Sequence, residues 1–265
     1  MSPLKRLAIV ISGSRLVQRR LAKRVRFAQH LMGIRSGDQP ESSGERRLFE
    51  AVCRRSSGPW IVMDVGANHG QFMKMALREM PAAATQIHCF EPGARAFEEL
   101  RRNADGDPRV RLNRVALGSA PGTATLHYQE QGSGLASLTR RDLEHFGIHF
   151  GLSEPVEVTT VDAYCDLNGI DRIHLLKLDV EGHELEVLHG ARRMLETGGV
   201  DALTFEFGGC NIDTRTFFRD FWKLLGAHGM TIHRITPSGF WSVIDRYEEA
   251  HEQFRTTNFV ALRSH

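Results

Sequence analysis

Short apolar runs alternate with amphipathic stretches through most of the chain after residue 44. The runs typical of buried strands lie at 60–64, 86–91, 110–117, 173–179 and 202–207, and further strands are predicted at 124–129, 156–161, 230–235 and 259–263. Helical spacing of apolar positions predicts helices at 45–55, 72–80, 94–103, from residue 180 to about 196, and at 214–228. This alternation favours an α/β fold with a mostly parallel sheet covered by helices on both faces.

The first 36 residues follow a different pattern, that of an amphipathic helix. Apolar residues recur at steps of four, four, three and four, at Val17, Leu21, Val25, Ala28 and Met32. The basic residues Arg15, Arg19, Lys23 and Arg26 lie beside them. Residues 37–44 are rich in glycine and serine and are predicted to be a linker. We therefore expect a basic helical arm with its linker at 1–44 and one globular domain at 45–265.

Charge separates the same two parts of the chain. The formal net charge is +2, but residues 1–37 hold nine lysines and arginines and no acid, which leaves 25 basic and 32 acidic side chains after residue 37. A basic arm is thus attached to an acidic body. The arm is compatible with three roles: covering the mouth of an active site, contacting an anionic membrane surface, or binding nucleic acid.

Several classes of protein are disfavoured by composition. The longest apolar runs, such as 7–11, fall far short of the roughly 20 residues that a membrane span needs. No apolar stretch of sufficient length precedes a small-residue cleavage site, so a secretory signal is not expected. The cysteines are Cys53, Cys89, Cys165 and Cys210, without a C-x-x-C pair, which suits a reducing cytosol. We expect a cytoplasmic protein, with peripheral membrane contact through the arm as an open alternative.

The first predicted strand ends in Asp64-Val-Gly-Ala-Asn-His-Gly70 and runs directly into a helix. Glycines at 66 and 70 permit tight turning and a close approach of backbone to a ligand. A dinucleotide fingerprint would have glycine where Asn68 stands, and a phosphate loop would have Lys-Ser/Thr after Gly70. A carboxylate ligand would still be served by the helix N-terminus. The alternative is an ordinary strand-to-helix turn.

The second predicted strand ends at Glu91, which follows Gly70 by 21 residues. In a parallel sheet, ligands bind at the carboxyl ends of the strands, and an acid at this place accepts hydrogen bonds from a ribose diol. A solvated surface glutamate is the alternative. Together the two strand ends indicate an adenosine-containing ligand without a pyrophosphate.

Seven segments stand out, in chain order: 64–70, Phe90-Glu-Pro92, Val115-Ala-Leu-Gly118, the Gly-rich segment ending Leu135-Ala-Ser-Leu138, Lys177-Leu-Asp-Val-Glu-Gly-His-Glu184, Val187-Leu-His-Gly190 and Phe205-Glu206. In these segments the sequence resembles the FkbM-type S-adenosylmethionine-dependent methyltransferases. Each segment is modestly specific alone, whereas their set and spacing are specific together. The resemblance covers about residues 58–263 and leaves the arm outside.

The resemblance implies a class I methyltransferase (Rossmann-like) fold, with a seven-stranded, mostly parallel sheet whose last strand is antiparallel. It implies S-adenosyl-L-methionine as the cofactor, with the turn after the first strand at its methionine end and Glu91 on the ribose hydroxyls. The cofactor-binding residues implied by position are Asp64, Gly66, Ala67, Asn68, Gly70, Glu91, Pro92, Ala116 and Asp179. Members of this family mostly methylate hydroxyls of sugars, glycolipids or secondary metabolites.

Three residues at and just after the end of the strand at 173–179 are candidates for catalysis: Asp179, Glu181 and His183. A hydroxyl becomes a good nucleophile only when its proton leaves, and a histidine such as His183, when unperturbed, titrates near neutrality, which suits a general base. The alternative is that the acids charge the first turn of the next helix and that His183 is half-buried and structural. A divalent cation held by Asp179, Glu181 and Glu206 is a competing device. We do not favour it and assign no metal ligand.

The sequence therefore predicts an S-adenosylmethionine-dependent O-methyltransferase that acts on a hydroxyl of a saccharide, glycolipid or secondary metabolite, either free or linked to a glycan or lipid. One alternative is a non-catalytic cofactor-binding or interaction protein on the same fold. Another is a nicotinamide-dependent oxidoreductase, which Asn68 in place of the middle glycine disfavours. Nucleic acid is disfavoured as a partner, because the body is acidic and has no N/D-P-P-Y/F motif.

Overall fold

The computed structural model describes residues 2–36 and 44–264. Most of the predicted linker, residues 37–43, therefore lies outside the described residues. The division of the chain at residue 44 stays a prediction.

The strands alternate with helices along the chain, as the sequence predicts. The strands are β1 (Trp60–Val65), β2 (Thr85–Phe90), β3 (Val110–Asn113), β4 (Ala116–Leu117), β5 (Gly122–Tyr128), β6 (Leu152–Thr159), β7 (Leu175–Leu178), β8 (Ala202–Phe207), β9 (Met230–Ile235), β10 (Trp241–Val243) and β11 (Thr257–Arg263). The helices are α1 (Pro3–Ser12), α2 (Arg15–Leu31), α3 (Arg46–Arg55), α4 (Gln71–Glu79), α5 (Ala94–Ala104), α6 (Val161–Asn168), α7 (Glu184–His189), α8 (Arg192–Glu196), α9 (Cys210–Thr214) and α10 (Phe218–Ala227).

The large sheet has the strand order β10-β9-β11-β8-β7-β1-β2-β3. β1 pairs in parallel with β2 and β7, while β11 lies antiparallel between β8 and β9. This is the class I methyltransferase arrangement, so the predicted α/β fold with an antiparallel last strand is confirmed. The sheet has eight strands rather than the expected seven, because a short edge strand, β10, pairs antiparallel with β9.

Helices cover both faces of this sheet, because the central strands are apolar on both sides. Leu48 of α3, Phe72 of α4 and Leu100 of α5 belong to one buried cluster, which includes Val62 of β1. α6, α7, α8 and α10 contribute to a second cluster around Leu176 of β7. Both clusters contain residues of β1, β2 and β7, so the packing on the two faces of the sheet holds the adjacent ends of these strands in place.

The predicted strand at 110–117 is wrong as a single element. Residues 110–113 form β3 of the large sheet, whereas residues 116–117 form β4 of a separate three-stranded sheet with the order β4-β6-β5. β3 ends at Asn113, whose side-chain amide donates to the carbonyl of Cys89 on β2 at 3.1 Å. After Asn113 the chain leaves the large sheet. The small sheet therefore lies beside the carboxyl ends of β1 and β2 and forms one wall of the space next to them.

Three other boundaries differ from the prediction. The strand predicted at 156–161 is β6, and Val161 begins α6, because the Thr160 hydroxyl accepts from the Ala163 amide at 3.0 Å and caps that helix. The helix after 179 begins only at 184 and breaks at Gly190, where a Cβ would lie 2.0 Å from the Gly118 carbonyl oxygen. The helix predicted at 214–228 is α10, which begins only at Phe218, and a separate short helix, α9, precedes it.

The arm forms two helices, α1 and α2, and the predicted amphipathic helix is confirmed as α2. α2 has no buried residue. The arm attaches to the body just after α2, where Ile34 is buried and the Arg35 amide donates to the Thr256 carbonyl at 2.8 Å. Within the described residues, no helix combines the length and the apolar character that crossing a bilayer requires.

Candidate functional site

Two cavities meet at the carboxyl ends of the central strands. Cavity A extends from β1 and β2 to the small sheet. Cavity B extends from β1 across β7 and β8. The residues that border both cavities are Gly66, Asn68, Gly134, Asp179 and Glu181. A ligand in cavity A and a ligand in cavity B would therefore come closest to each other beside Asp179.

The turn after β1 packs against the ends of two neighbouring strands. The amides of Gly66 and Ala67 both donate to the Phe90 carbonyl of β2 at 3.0 Å. Gly66 has φ +79°, and a Cβ at this position would lie 1.8 Å from the carbonyl oxygen of Asp179. Only glycine fits there, because an L side chain is strained at this φ and would collide with backbone. The group that approaches Gly66 closely is therefore the backbone at the end of β7.

Asn68 joins this turn to Glu91. Its backbone lies in the left-handed region at φ 46°, and its amide donates to Glu91 Oε2 at 2.9 Å. The side-chain oxygen Oδ1 is buried and has no hydrogen-bond partner among the described residues. A buried polar atom without a partner is rare in folded proteins. Because Asn68 borders both cavities, this oxygen is a candidate acceptor for a polar group of a ligand.

Glu91 lies where the sequence places it, on the wall of cavity A at the end of β2. Its two carboxylate oxygens accept from the amides of Asn68 and Gly93, the latter at 2.8 Å. Its exposed fraction is 7%, and burial raises the pKa of Glu91 to about 7, which the two amide hydrogen bonds partly oppose. The carboxylate is held in one orientation, and its remaining lone pairs can accept from a diol.

A large part of the remaining wall of cavity A is apolar, and of its apolar residues only Pro92 and Ala116 were identified as site residues from the sequence. Its apolar lining comes from Phe90, Pro92, Val115, Ala116, Leu117, Leu126, Ala136 and Leu138. Leu126 belongs to the small sheet, and a bridge between His127 and Ser137 holds the 133–138 loop against it. The sequence signals for this wall were the motif resemblances at 90–92, 115–118 and 135–138. Cavity A thus combines an apolar wall and the fixed carboxylate of Glu91 with a polar end at Asp179 and Glu181.

Asp64 lies behind the cavities, since it is fully buried and lines neither of them. Lys177 Nζ is 3.5 Å from Asp64 Oδ1 and 3.1 Å from Asp179 Oδ2. Burial alone would lower the pKa of Lys177, but the two carboxylates outweigh it and raise this pKa above its ordinary value. Lys177 therefore stays charged and fixes the Asp179 carboxylate at the junction. A lysine inside an otherwise apolar strand was the sequence signal for this network.

Glu181 is held by an arginine that sequence reasoning missed. Arg141, whose side chain is only 8% exposed, forms ion pairs with Glu181 and, at 3.4 Å, with Asp213. Burial and the nearby Asp179 raise the pKa of Glu181 to about 8, and Arg141 opposes this rise. Glu181 has a left-handed φ of 51°. Nothing in the sequence distinguishes Arg141 from its neighbour Arg140.

Glu184 supports the loop that carries Asp179 and Glu181. It is fully buried, and its Oε1 accepts from the amides of Val180 at 3.0 Å and Gly182 at 3.2 Å. Burial raises the pKa of Glu184 to about 7. Its role is therefore to fasten the end of β7, in addition to beginning α7.

We expect the substitution Glu184→Gln to change the pH dependence of stability. Because the folded pKa of about 7 exceeds the ordinary 4.5, the native state binds the proton more tightly, and this carboxyl costs stability as the pH rises from about 4.5 to 7. The glutamine variant lacks this loss, so its free energy of unfolding relative to wild type should rise by about 2–4 kcal/mol between pH 5 and 8. Urea unfolding at both pH values measures it. The matched exposed variant Glu157→Gln should follow wild type, and parallel curves for Glu184→Gln would refute the assignment.

His183 lies on the wall of cavity A and also borders an open groove that contains Thr139, Glu186 and Thr214. Its Nε2 shares a hydrogen bond of 2.8 Å with the Thr139 hydroxyl. Burial lowers the pKa of His183, so the ring is neutral near pH 7. His183 does not line cavity B.

Of the predicted cofactor residues, Gly66, Asn68, Glu91, Pro92, Ala116 and Asp179 line cavity A, and Ala67 lines cavity B. Gly70 caps α4 at φ 86° and, like Asp64, is not among the lining residues. The acids of the competing metal hypothesis, Asp179, Glu181 and Glu206, all border cavity B. Within residues 2–36 and 44–264, however, no group of three or more His, Cys, Asp or Glu side chains is placed to hold one metal ion.

Comparison with known proteins identifies relatives of this chain. The family described as "Methyltransferase FkbM domain" matches residues 64–230. The 2-O-methyltransferase NoeI of Sinorhizobium fredii is 30% identical over 145 residues, which cover 51% of this chain and 58% of NoeI. Methyltransferase sdnD of Sordaria araneosa is 30% identical over 229 residues, which cover 77% of this chain and 82% of sdnD.

A third relative is the hexuronic acid methyltransferase AglP of Haloferax volcanii. It is 25% identical over 155 residues, which cover 58% of this chain and 59% of AglP. The chain thus spans little more than half the length of NoeI and of AglP. The family match contains the turn after β1, Glu91 and the loop after β7. Each of these segments borders at least one of the two cavities.

Proposed function

This chain belongs to the FkbM methyltransferase family, and we propose that it transfers a methyl group from S-adenosylmethionine to a hydroxyl of a saccharide, glycolipid or secondary metabolite. One observation carries the proposal. Cavity A, which has a largely apolar wall and the fixed carboxylate of Glu91, adjoins at Asp179 and Glu181 a second cavity whose wall is rich in polar side chains. Two adjoining cavities of different chemistry suit a reaction between two bound molecules.

Cavity A fits the adenosine part of the methyl donor. The adenine ring suits the apolar walls from Phe90 to Leu138, and the ribose hydroxyls suit the oxygens of Glu91. The methionine part would follow the turn at Gly66 and Asn68, toward the junction of the cavities. The unpartnered Oδ1 of Asn68 supports this placement, since it can accept a hydrogen bond from an ammonium group.

Cavity B fits an acceptor that carries several hydroxyls. Glu181, Glu206, Thr204 and Asn258 line it, and carboxylate and amide oxygens accept hydrogen bonds from such groups. When bound, S-adenosylmethionine supplies a methyl group on a positively charged sulfur. The chain's own task is to align the acceptor oxygen behind this methyl group, which can contribute roughly 7–11 kcal/mol, and to receive the hydroxyl proton. Asp179 borders both cavities and is our candidate for the second task.

The relatives support the class of acceptor without fixing it. The name of NoeI specifies a 2-O-methyl transfer, and the name of AglP specifies a hexuronic acid. Both descriptions agree with a hydroxyl-bearing acceptor in a polar cavity.

Two measurements test the proposal. Isothermal titration with S-adenosylhomocysteine and, separately, with NAD should show binding of the first only, and binding of NAD alone would favour the oxidoreductase alternative. Mass spectrometry should then detect methylated product from a panel of uronic acids, glycolipids and hydroxylated metabolites. Binding without turnover on any acceptor would favour a non-catalytic protein. If a chelator abolishes turnover, a divalent cation rather than a side chain would be responsible for removing the hydroxyl proton.

We expect Glu91→Gln to weaken the binding of S-adenosylhomocysteine about 10- to 100-fold. Loss of a hydrogen bond to a charged group costs about 1.5–3 kcal/mol, and the amide offers one acceptor oxygen in place of two. Titration calorimetry measures the effect, with the exposed Glu157→Gln as the matched control on the small sheet. Equal affinities of both variants, with Glu91→Gln folded, would remove Glu91 from the donor site.

A further inference from the structure

The arm carries a large share of the apolar surface that the protein exposes. Nine large hydrophobic side chains are exposed in α1, in α2 or directly after α2: Ile9, Val10, Ile11, Leu16, Leu21, Val25, Phe27, Leu31 and Met32. They amount to nine of the 16 exposed large hydrophobic side chains among the described residues. Since α2 has no buried residue, the body does not cover this surface.

Five apolar residues in and directly after α2 follow one face of the helix, whereas the exposed Leu16, Phe27 and Leu31 lie outside that face. Val17, Leu21, Val25, Ala28 and Met32, here called the arm stripe, lie within one third of the helix circumference. In this helix Arg15, Arg19, Lys23, Arg26 and His30 lie on the face opposite the arm stripe, not beside it as the sequence suggested, and α2 contains no acidic residue. An apolar face opposed by a basic face is typical of helices that lie in the plane of a membrane interface.

We propose that α1 and α2 form a docking surface for anionic phospholipid bilayers, with the arm stripe toward the acyl chains and the basic residues among the headgroups. Charge complementarity selects this partner. A nucleic acid would engage the basic residues but leave the arm stripe in water. A second copy of the chain would cover the stripe but bring two strongly basic arms together without acids between them.

The attachment of the arm gives the docking a direction. Gln29 donates to Gln253 at 3.0 Å, Arg255 donates to Gln29 at 3.1 Å, and the Arg35 amide is bound to Thr256. Thr256 also lines cavity B. A hydroxyl acceptor carried on a lipid would thus be presented beside cavity B, a consequence that rests on the proposed function.

Flotation of the full chain with vesicles tests the docking surface. Phosphatidylcholine vesicles that contain phosphatidylglycerol should carry the protein at low salt and less of it at high salt, because salt screens the headgroup contacts. Lys23→Gln/Arg26→Gln should weaken partitioning about 25-fold, at roughly fivefold for each charge. Leu21→Gln/Val25→Gln should weaken it about tenfold or more, although both side chains are exposed and the fold does not depend on them.

Two matched controls on the body share these changes of charge and hydrophobicity. Arg101→Gln/Arg102→Gln removes exposed charges of α5, and Phe146→Gln/Leu167→Gln removes exposed apolar groups. Both should partition like wild type. The proposal is overturned if wild type does not float with anionic vesicles at low salt, or if Leu21→Gln/Val25→Gln floats like wild type. It is also overturned if a duplex oligonucleotide binds the arm while vesicles do not. The assay contains no methyl donor, so its failure is distinct from failure of the proposed function.

Discussion

Gly66→Val is expected to abolish detectable binding of S-adenosylhomocysteine. A Cβ at Gly66 would lie 1.8 Å from the Asp179 carbonyl oxygen and 3.3 Å from a methyl group of Val180. The obstacle is backbone at the end of β7, which cannot move without displacing Asp179 and Glu181. The two β-branched methyl groups of valine also disfavour the φ of +79° that this turn requires. The turn and the end of β7 would have to separate, and both cavities share that boundary.

Because Gly66→Val can fail to fold, Gly66→Ala provides a second measurement. Left-handed strain and overpacking together predict a loss of about 2–5 kcal/mol in the free energy of unfolding. Gly122→Ala is the matched control, since a Cβ there meets nothing within 4 Å. Gly70→Ala should fall between the two, because its Cβ would meet the flexible ends of Leu100 and Met73. Wild-type stability and affinity in Gly66→Ala would contradict this account of the turn.

The elements that the sequence predicts well are those whose pattern is purely local. β1, β2, β7 and β8 are short, largely apolar segments, and each lies at the position that its apolar run predicts. Polar candidate residues lie at the carboxyl ends of these parallel strands. The sequence alone therefore predicted that Glu91 and Asp179 lie at the same edge of the sheet. The fold implied by the motif resemblance follows from the same segments.

The sequence does not show what depends on contacts between distant segments. Residues 110–117 read as one strand, because nothing in the run shows that Ala116 will pair with Val158 of β6. The small sheet, and with it most of the apolar wall of cavity A, follows from that pairing. The sequence likewise does not distinguish Arg141 from other loop arginines. Its role follows only from its ion pairs with Glu181 and Asp213, which lie far from it along the chain. Asp64 is a strand-end acid by pattern, but burial beside Lys177 removes it from the cavity surface.

Asp179→Asn is expected to lower the turnover number about 10²–10⁴-fold, the range of a general base. The side chain is 41% exposed and borders both cavities, so a carboxylate there can reach an acceptor hydroxyl. Asparagine keeps the shape but cannot receive a proton. Lys177 keeps Asp64 as its partner, so the fold and the donor affinity should change little. Turnover with an acceptor identified from the panel, at saturating donor, measures the effect, and a loss below threefold would exclude Asp179 as the base.

His183→Ala separates the two candidate bases. His183 lines cavity A and the neighbouring groove, its Nε2 is engaged by the Thr139 hydroxyl, and it does not border cavity B. If the acceptor occupies cavity B, this ring cannot reach its hydroxyl, and we expect a loss of less than about tenfold. Thr139→Val frees Nε2 without removing the ring, and it should be nearly silent for the same reason. A loss of 10²-fold or more in His183→Ala, with Asp179→Asn active, would instead make His183 the base and place the acceptor in the groove that His183 borders with Thr139, Glu186 and Thr214.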